Sequence, residues 1–228
     1  MKSTQGFIGF LRAFLAVATV AAYQVLAHHA IATPDDHGLG LAMALAPPLL
    51  LALGAAARSP RRARWLTLWM LGAGALWGAR TPLAQHFEWG LYLEHVSFNL
   101  GMALVFGRTL AAGRTPLCTQ FATMMRKPGG SGLKPAVARY TRQITLAWSV
   151  FFVAIAAIST LMFAFAPIVD WSTFANYLAL PLVGAMFVGE HAVRRFMVPG
   201  EAQAGMMEAI RAYRARSCAT PPHRSQLQ

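Results

Sequence analysis

The chain has 228 residues, 56% of them hydrophobic and only 12% charged, with 20 Lys and Arg against 8 Asp and Glu for a net charge of +12. Mean hydropathy is +0.45. So apolar a chain with about half the charge of an average soluble domain is excluded from the disordered class and argues against a soluble globular domain. The basic excess by itself fits nucleic acid or a membrane, and the positions of the charges decide between them.

A bilayer span takes about 20 mostly apolar residues, and six segments meet or approach this. They cover residues 7–27, 39–57, 65–83, 89–106, 144–166 and 172–191. Arg12 interrupts the first near its start, Pro47 and Pro48 lie in the second, and Pro181 lies in the last. Prolines inside spans mark kinks more than ends, because neighbouring helices re-satisfy the freed carbonyls. No alternating pattern of the kind that builds a membrane barrel recurs. The expected fold is an all-α polytopic bundle of about six transmembrane helices over residues 1–198, with a basic connection at 107–143 and a C-terminal tail at 199–228.

The connections alternate in charge. Lys2 and Arg12 open the chain, and the next connection has no Lys or Arg but holds Asp35 and Asp36. Arg58, Arg61, Arg62 and Arg64 follow, then Arg80 with His86 and Glu88. The fourth connection carries Arg108, Arg114, Arg126, Lys127, Lys134, Arg139 and Arg142 and no acid, the fifth only Asp170. The tail carries Arg194, Arg195, Arg211, Arg214, Arg216 and Arg224. Nineteen of the twenty basic residues thus fall on one side of a six-span map, which predicts both termini in the cytoplasm. A cleaved signal peptide at the start, with Lys2 and Arg12 as its charged region, fits the same map and stays open. Cys118 and Cys218 both fall on the cytoplasmic side, as free thiols without metal spacing.

Between the fourth and fifth spans, residues 116–126 read as an interfacial amphipathic helix with Leu117, Phe121, Met124 and Met125 on one face, followed by a flexible break at 128–135. In the tail, Met206, Ile210 and Tyr213 repeat that spacing opposite Arg211 and Arg214, and the last dozen residues read as disordered. Two readings of the basic side stand. One is topology plus attraction to anionic phospholipid, about 1 kcal/mol per cation near the surface. The other is a docking face for an acidic soluble partner. No aromatic-interleaved basic platform points to nucleic acid.

Ionisable groups at membrane depth are functional candidates. Glu88, Tyr92, His95 and Asn99 recur at i, i+4, i+7 and i+11 of the fourth span, one polar stripe with Glu94 beside it. It serves either interhelical hydrogen bonds or a ligand or proton site. Asn176, Glu190 and His191 lie on the sixth span. By helical rise Glu94 lies about 9 Å and Glu190 about 28 Å from the outer edge, too far apart for a carboxylate pair. Glu190 is expected instead to pair with Arg194 or Arg108 and fix helix packing. His28, His29, Asp35, Asp36 and His37 share the first external connection, read as solvated in preference to a metal site. Gly74 and Gly78 form a GxxxG that permits close helix approach. No phosphate loop, nucleophile motif or dinucleotide fingerprint occurs, so no cofactor, metal or catalytic residue is assigned.

The run Gly107-Arg108-Thr109-Leu110, then Gly113-Arg114-Thr115-Pro116-Leu117-Cys118-Thr119, resembles a "GRTL…GR-x-PL-x-T" signature. It continues through Ala138-Arg139-Tyr140-Thr141-Arg142, Ala147-Trp148, Trp171-Ser172-x-Phe174-Ala175-Asn176 and Phe187-x-Gly189-Glu190. Together these are similar to an uncharacterised bacterial multi-pass membrane protein family of aryl-polyene and xanthomonadin-type pigment gene clusters, some members of which are labelled "ketosynthase" without a ketosynthase motif. The resemblance covers about residues 101–198. It implies an inner-membrane setting and a pathway that builds polyene acyl chains on an acidic acyl carrier protein. Three functions follow as expectations. The first is an accessory or scaffold protein docking the carrier or biosynthetic enzymes on the basic connection. The second is a transporter or flippase for a polyene lipid with a cleft at His95, Asn99 and Glu94. The third is a membrane-embedded acyl- or glycosyltransferase with His95 or His191 as base.

Overall fold

The computed structural model describes residues 2–33, 37–124 and 135–197. Every regular element among them is helical: α1 Lys2–Ala32, α2 His37–Arg58, α3 Arg62–Gly78, α4 Arg80–Gln85 and α5 Phe87–Gly107. A 3-10 turn, Arg108–Leu110, precedes α6 Leu117–Met124 and α7 Pro135–Phe165. After α8 Ile168–Thr173, a π-helical turn at Phe174–Leu178 leads into α9 Ala179–Met197.

Four helical stretches are long and apolar enough to cross a membrane: Leu11–Ala32, His37–Arg58, Pro135–Phe165 and the composite Ile168–Met197. They leave large apolar side chains such as Phe14, Leu51, Val150, Phe165 and Val188 exposed, a surface that soluble monomers rarely present. The other two expected spans are less clear-cut. The helix expected over 65–83 breaks at Ala79 into α3 and α4, leaving α3 with 17 residues. The helix expected over 89–106 forms as α5 with 21 residues, but it carries the polar stripe.

Several boundaries differ from expectation for physical reasons. α1 runs on to Ala32 and α2 starts at His37, so His28, His29 and His37 are helical and only a short connection remains. α2 continues through Pro47 and Pro48 without a break. α7 begins at Pro135, a residue whose fixed φ and missing N–H suit a first helical position. Gly74 and Gly78 support no close approach among the described residues, since a Cβ at either would meet nothing within 4 Å. The close contacts lie elsewhere. A Cβ on Gly40 would run into the Phe87 ring, and one on Gly90 would sit 2.8 Å from the Ala44 Cβ. These two glycines let α2 and α5 touch.

Residue contacts divide the chain into two compact units, Met1–Leu100 with Ala154–Gly184, and Gly101–Val153 with Ala185–Gln228. The first has a core of Ala27, Ala30, Ala44, Phe87, Leu91, Trp171 and Ala175. Alanines bring α1 and α2 close, and the aromatics fill the remainder. Trp171 is 1% exposed and its indole N–H donates to the Ser159 Oγ at 2.9 Å. In the second unit, Val137, Tyr140, Ile144, Trp148 and Phe152 recur at three- and four-residue steps along α7 and are all buried.

Candidate anion-binding cleft and the polar residues of the helices

The stripe on α5 is built into packing. Tyr92 stacks on Phe163 at 4.2 Å between centroids and lies edge-on to Trp171, while its hydroxyl donates to the Thr160 Oγ1 at 3.1 Å. His95 lies edge-on to Phe174. Asn99 is buried and donates back to the His95 carbonyl at 2.9 Å, with its Nδ2 3.4 Å from the His95 Nε2. Glu88 Oε1 sits 3.6 Å from the Nδ1 of the exposed His86. Glu94 faces a different neighbour: the Tyr23 hydroxyl of α1 lies 2.7 Å from its Oε2 and 3.3 Å from the Met43 carbonyl of α2. One side chain thus ties three helices together, and the stripe and Glu94 do not converge on a common site.

A second polar cluster was not apparent from the spacing. His28 Nδ1 lies 3.0 Å from the Ser172 Oγ, and the His28 ring packs on Tyr177 at 4.7 Å. Asn176 donates to the Ser172 carbonyl at 3.0 Å and to its Oγ at 3.2 Å. The partners are 144 residues apart in sequence, so no motif could have shown them. Ser172 comes from α8, and Asn176 and Tyr177 come from the π turn that follows it. Ser172 is 0% exposed, so its hydroxyl is a packing group with no approach for a substrate.

Glu190 departs from expectation. It makes no ion pair with Arg194 or Arg108 among the described residues. Its Oε2 accepts the Trp148 indole N–H at 3.0 Å, and its carbonyl accepts the Tyr140 hydroxyl at 3.0 Å. An i,i+4 Glu–Arg pair is ordinarily favourable on an open helix face. Here the carboxylate turns inward because Trp148, buried on α7, has an N–H that must find an acceptor. Arg108 is exposed and lines a cleft at the end of α5, and His191 is exposed.

The fourth connection forms a built cleft at the end of α5. The 3-10 turn carries Arg108 and Thr109, and the Thr109 hydroxyl donates to the Phe106 carbonyl at 2.7 Å. The same oxygen accepts the Leu117 N–H at 3.0 Å, an otherwise unpaired amide in the first turn of α6. The Cys118 N–H is capped in the same way by the Thr145 Oγ1 at 3.2 Å. Thr119 then meets Thr141 at 2.7 Å, so α6 is held on α7 by a ladder of threonines. Between the 3-10 turn and α6 the chain doubles back. Gly113 has φ +77, and the Arg114 N–H returns to the Ala111 carbonyl at 3.1 Å. Only glycine adopts that backbone without strain, and the reversal puts Arg114 on the same cleft as Arg108.

That cleft has a volume of about 400 Å³ and is lined by Val105, Arg108, Thr109, Arg114, Thr115, Leu117 and Gln120. Gln120 is held by donating to the Thr115 carbonyl at 2.7 Å. Neither guanidinium has a carboxylate partner among the described residues, and the whole segment 101–143 contains none. Two guanidinium forks are a donor set suited to an oxyanion, while the Thr109 hydroxyl proton is already spent on the Phe106 carbonyl. Arg139 and Arg142 on α7 are exposed, with Arg142 donating to the Leu110 carbonyl at 3.4 Å. Arg126, Lys127 and Lys134, like Asp35, Asp36, Met125 and the tail residues from 198 onward, lie outside the described residues. α6 buries its threonine side and leaves Phe121 and Met124 exposed, the face expected to meet a membrane surface. Burial pushes the Cys118 thiol above its usual range. The nearby Glu190 carboxylate acts in the same direction, and its hydrogen bond with Thr145 opposes both. No three metal-ligating side chains cluster among the described residues.

No family model, curated protein or solved structure matches this chain.

Proposed function

We propose that this chain is a six-span protein of a bacterial inner membrane whose basic cytoplasmic face docks an acidic soluble partner of acyl-chain biosynthesis. α3 with α4, and α5, are counted as spans beside the four more apolar ones, and both termini lie on the cytoplasmic side. The strict alternation of basic and non-basic connections supports this orientation. The observation that carries the docking reading is the exposure of Arg108, Arg114, Arg139 and Arg142 in a segment free of carboxylates. An acidic partner meets no competing internal acid there, and complementary charge chiefly raises the encounter rate. The resemblance to a family of polyene pigment clusters makes an acyl carrier protein the first partner to try.

The test is binding of the acyl carrier protein to the full chain in nanodiscs. Arg139→Glu with Arg142→Glu is expected to weaken binding by about tenfold or more at low salt, since each reversal replaces attraction with repulsion. Unchanged affinity sinks the docking reading. Alkaline phosphatase fusions at residues 59 and 112 test the orientation and are expected to be inactive at both places.

A second reading, transport of a polyene lipid, draws on the π turn at Phe174–Leu178 just before Pro181, a locally irregular stretch within the composite span. Against it, Tyr92, His95 and Asn99 are occupied by packing and helix-internal bonds. Lipid export lost on His95→Ala, with carrier binding intact, would favour transport.

A further inference from the structure

We infer that the cleft between the 3-10 turn and α6 holds the phosphate of an anionic phospholipid headgroup. This inference rests on the reading that the connection faces the cytoplasmic surface of the bilayer. The cleft is polar where Arg108, Arg114 and Thr115 line it and apolar where Val105 and Leu117 do. Leu104 and Val105 lie one helical turn before Arg108 and Thr109 on α5, and both are exposed. A lipid fits this order of groups, with its phosphate between the two guanidiniums and its acyl chain along Leu104 and Val105. A soluble phosphate ester has no use for the apolar part.

The cleft is also held in shape without the ligand. Thr109 fixes the turn to α6, Gly113 sets the reversal, and Gln120 closes on the Thr115 carbonyl. The backbone that carries the arginines therefore needs little reordering to receive an anion, which lowers the entropic cost of binding. Guanidinium forks match two phosphate oxygens at once, which lysine cannot do. A built site thus differs from a diffuse basic surface in caring about which cation is present and where.

The experiment is native mass spectrometry of the full chain released from nanodiscs of phosphatidylcholine with phosphatidylglycerol. A retained phosphatidylglycerol is expected on the unaltered chain. Arg108→Gln with Arg114→Gln should lower its retention about tenfold or more, tenfold being the loss expected for a single charge-assisted hydrogen bond. Arg108→Lys with Arg114→Lys should lose most of it despite unchanged charge. Arg139→Gln with Arg142→Gln, which removes the same charge nearby, should keep it. Equal loss in the two glutamine pairs, full retention in the lysine pair, or full retention in Arg108→Gln/Arg114→Gln each overturns the site. Both arginines are exposed, and Arg114→Gln alone provides a second, milder variant. Titration of inorganic phosphate into the detergent-solubilised chain separates the sources: tight phosphate binding without phosphatidylglycerol retention overturns the lipid. No carrier protein enters this assay, so its failure and failure of the docking reading are read separately.

Discussion

The polar groups along α5 and those just beyond its end are used in opposite ways. Tyr92, Glu94, His95 and Asn99 each find a partner within the helices around them. Arg108 and Arg114, a few residues later, line an open cleft with no carboxylate in reach among the described residues. A polar group that faces other helices is satisfied by them, because leaving it unpaired in an apolar setting costs several kcal/mol. A charge placed where the helix stops has water and outside ligands as alternatives. Polarity along α5 therefore marks packing in this chain, and the unpaired charge gathers at the helix end.

The largest effect should come from the core of the first unit. Trp171→Ala removes a buried indole and strands the Ser159 hydroxyl, and is expected to cost about 3–5 kcal/mol in detergent unfolding. A loss under about 1 kcal/mol would show that this interior is not tightly packed and would weaken the contrast. Gly40→Ala forces a methyl into the Phe87 ring and should cost about 1–3 kcal/mol, whereas Gly74→Ala should cost nothing or stabilise slightly. A reversed order would reinstate the GxxxG as the packing element. Gly113→Ala strains the left-handed turn by about 1–2 kcal/mol. It should disturb the arginine cleft while leaving the first unit's unfolding unchanged, which sharpens the separation of the two regions.

Tyr92→Phe keeps the stack on Phe163 and loses one exposed hydrogen bond, about 0.5–1 kcal/mol. Carrier binding should be unaltered, and its loss would break the comparison by making the stripe functional. The smallest effect concerns Cys118. In a Cys218→Ser background its thiol should react with iodoacetamide more slowly at pH 8 than a free cysteine, and the rate should rise toward higher pH. The direction follows from burial, which raises the pKa and lowers the thiolate fraction at a given pH. Rapid labelling at pH 8 would show that α6 does not rest on α7 as described.

Much of the bundle is legible before any coordinates. Apolar runs of the right length give α1, α2, α5, α7 and the composite last helix, since hydropathy over about 20 residues is a strong signal. Boundaries are less legible. α7 starts nine residues before the expected span because Val137, Tyr140 and Thr141 pack on their own unit even though the segment also carries Arg139 and Arg142. Glu190 shows why partners are harder still. Its neighbour in sequence at i+4 is an arginine, yet its carboxylate goes to an indole 42 residues away.

The sequence by itself determined that this is a helical chain with apolar stretches fit for a membrane and a long basic connection free of acids. Both are properties of composition along a line, which a bilayer reads segment by segment. Only the tertiary structure decided which polar groups are spent on packing and which are left to bind. The pairing of Tyr23 with Glu94, of His28 with Ser172 and of Trp148 with Glu190 depends on helices meeting at one height and rotation. The arginine cleft depends on one backward turn at Gly113 and on a threonine that caps the next helix. Such contacts are set by register and close approach in three dimensions, and no spacing along the chain encodes them.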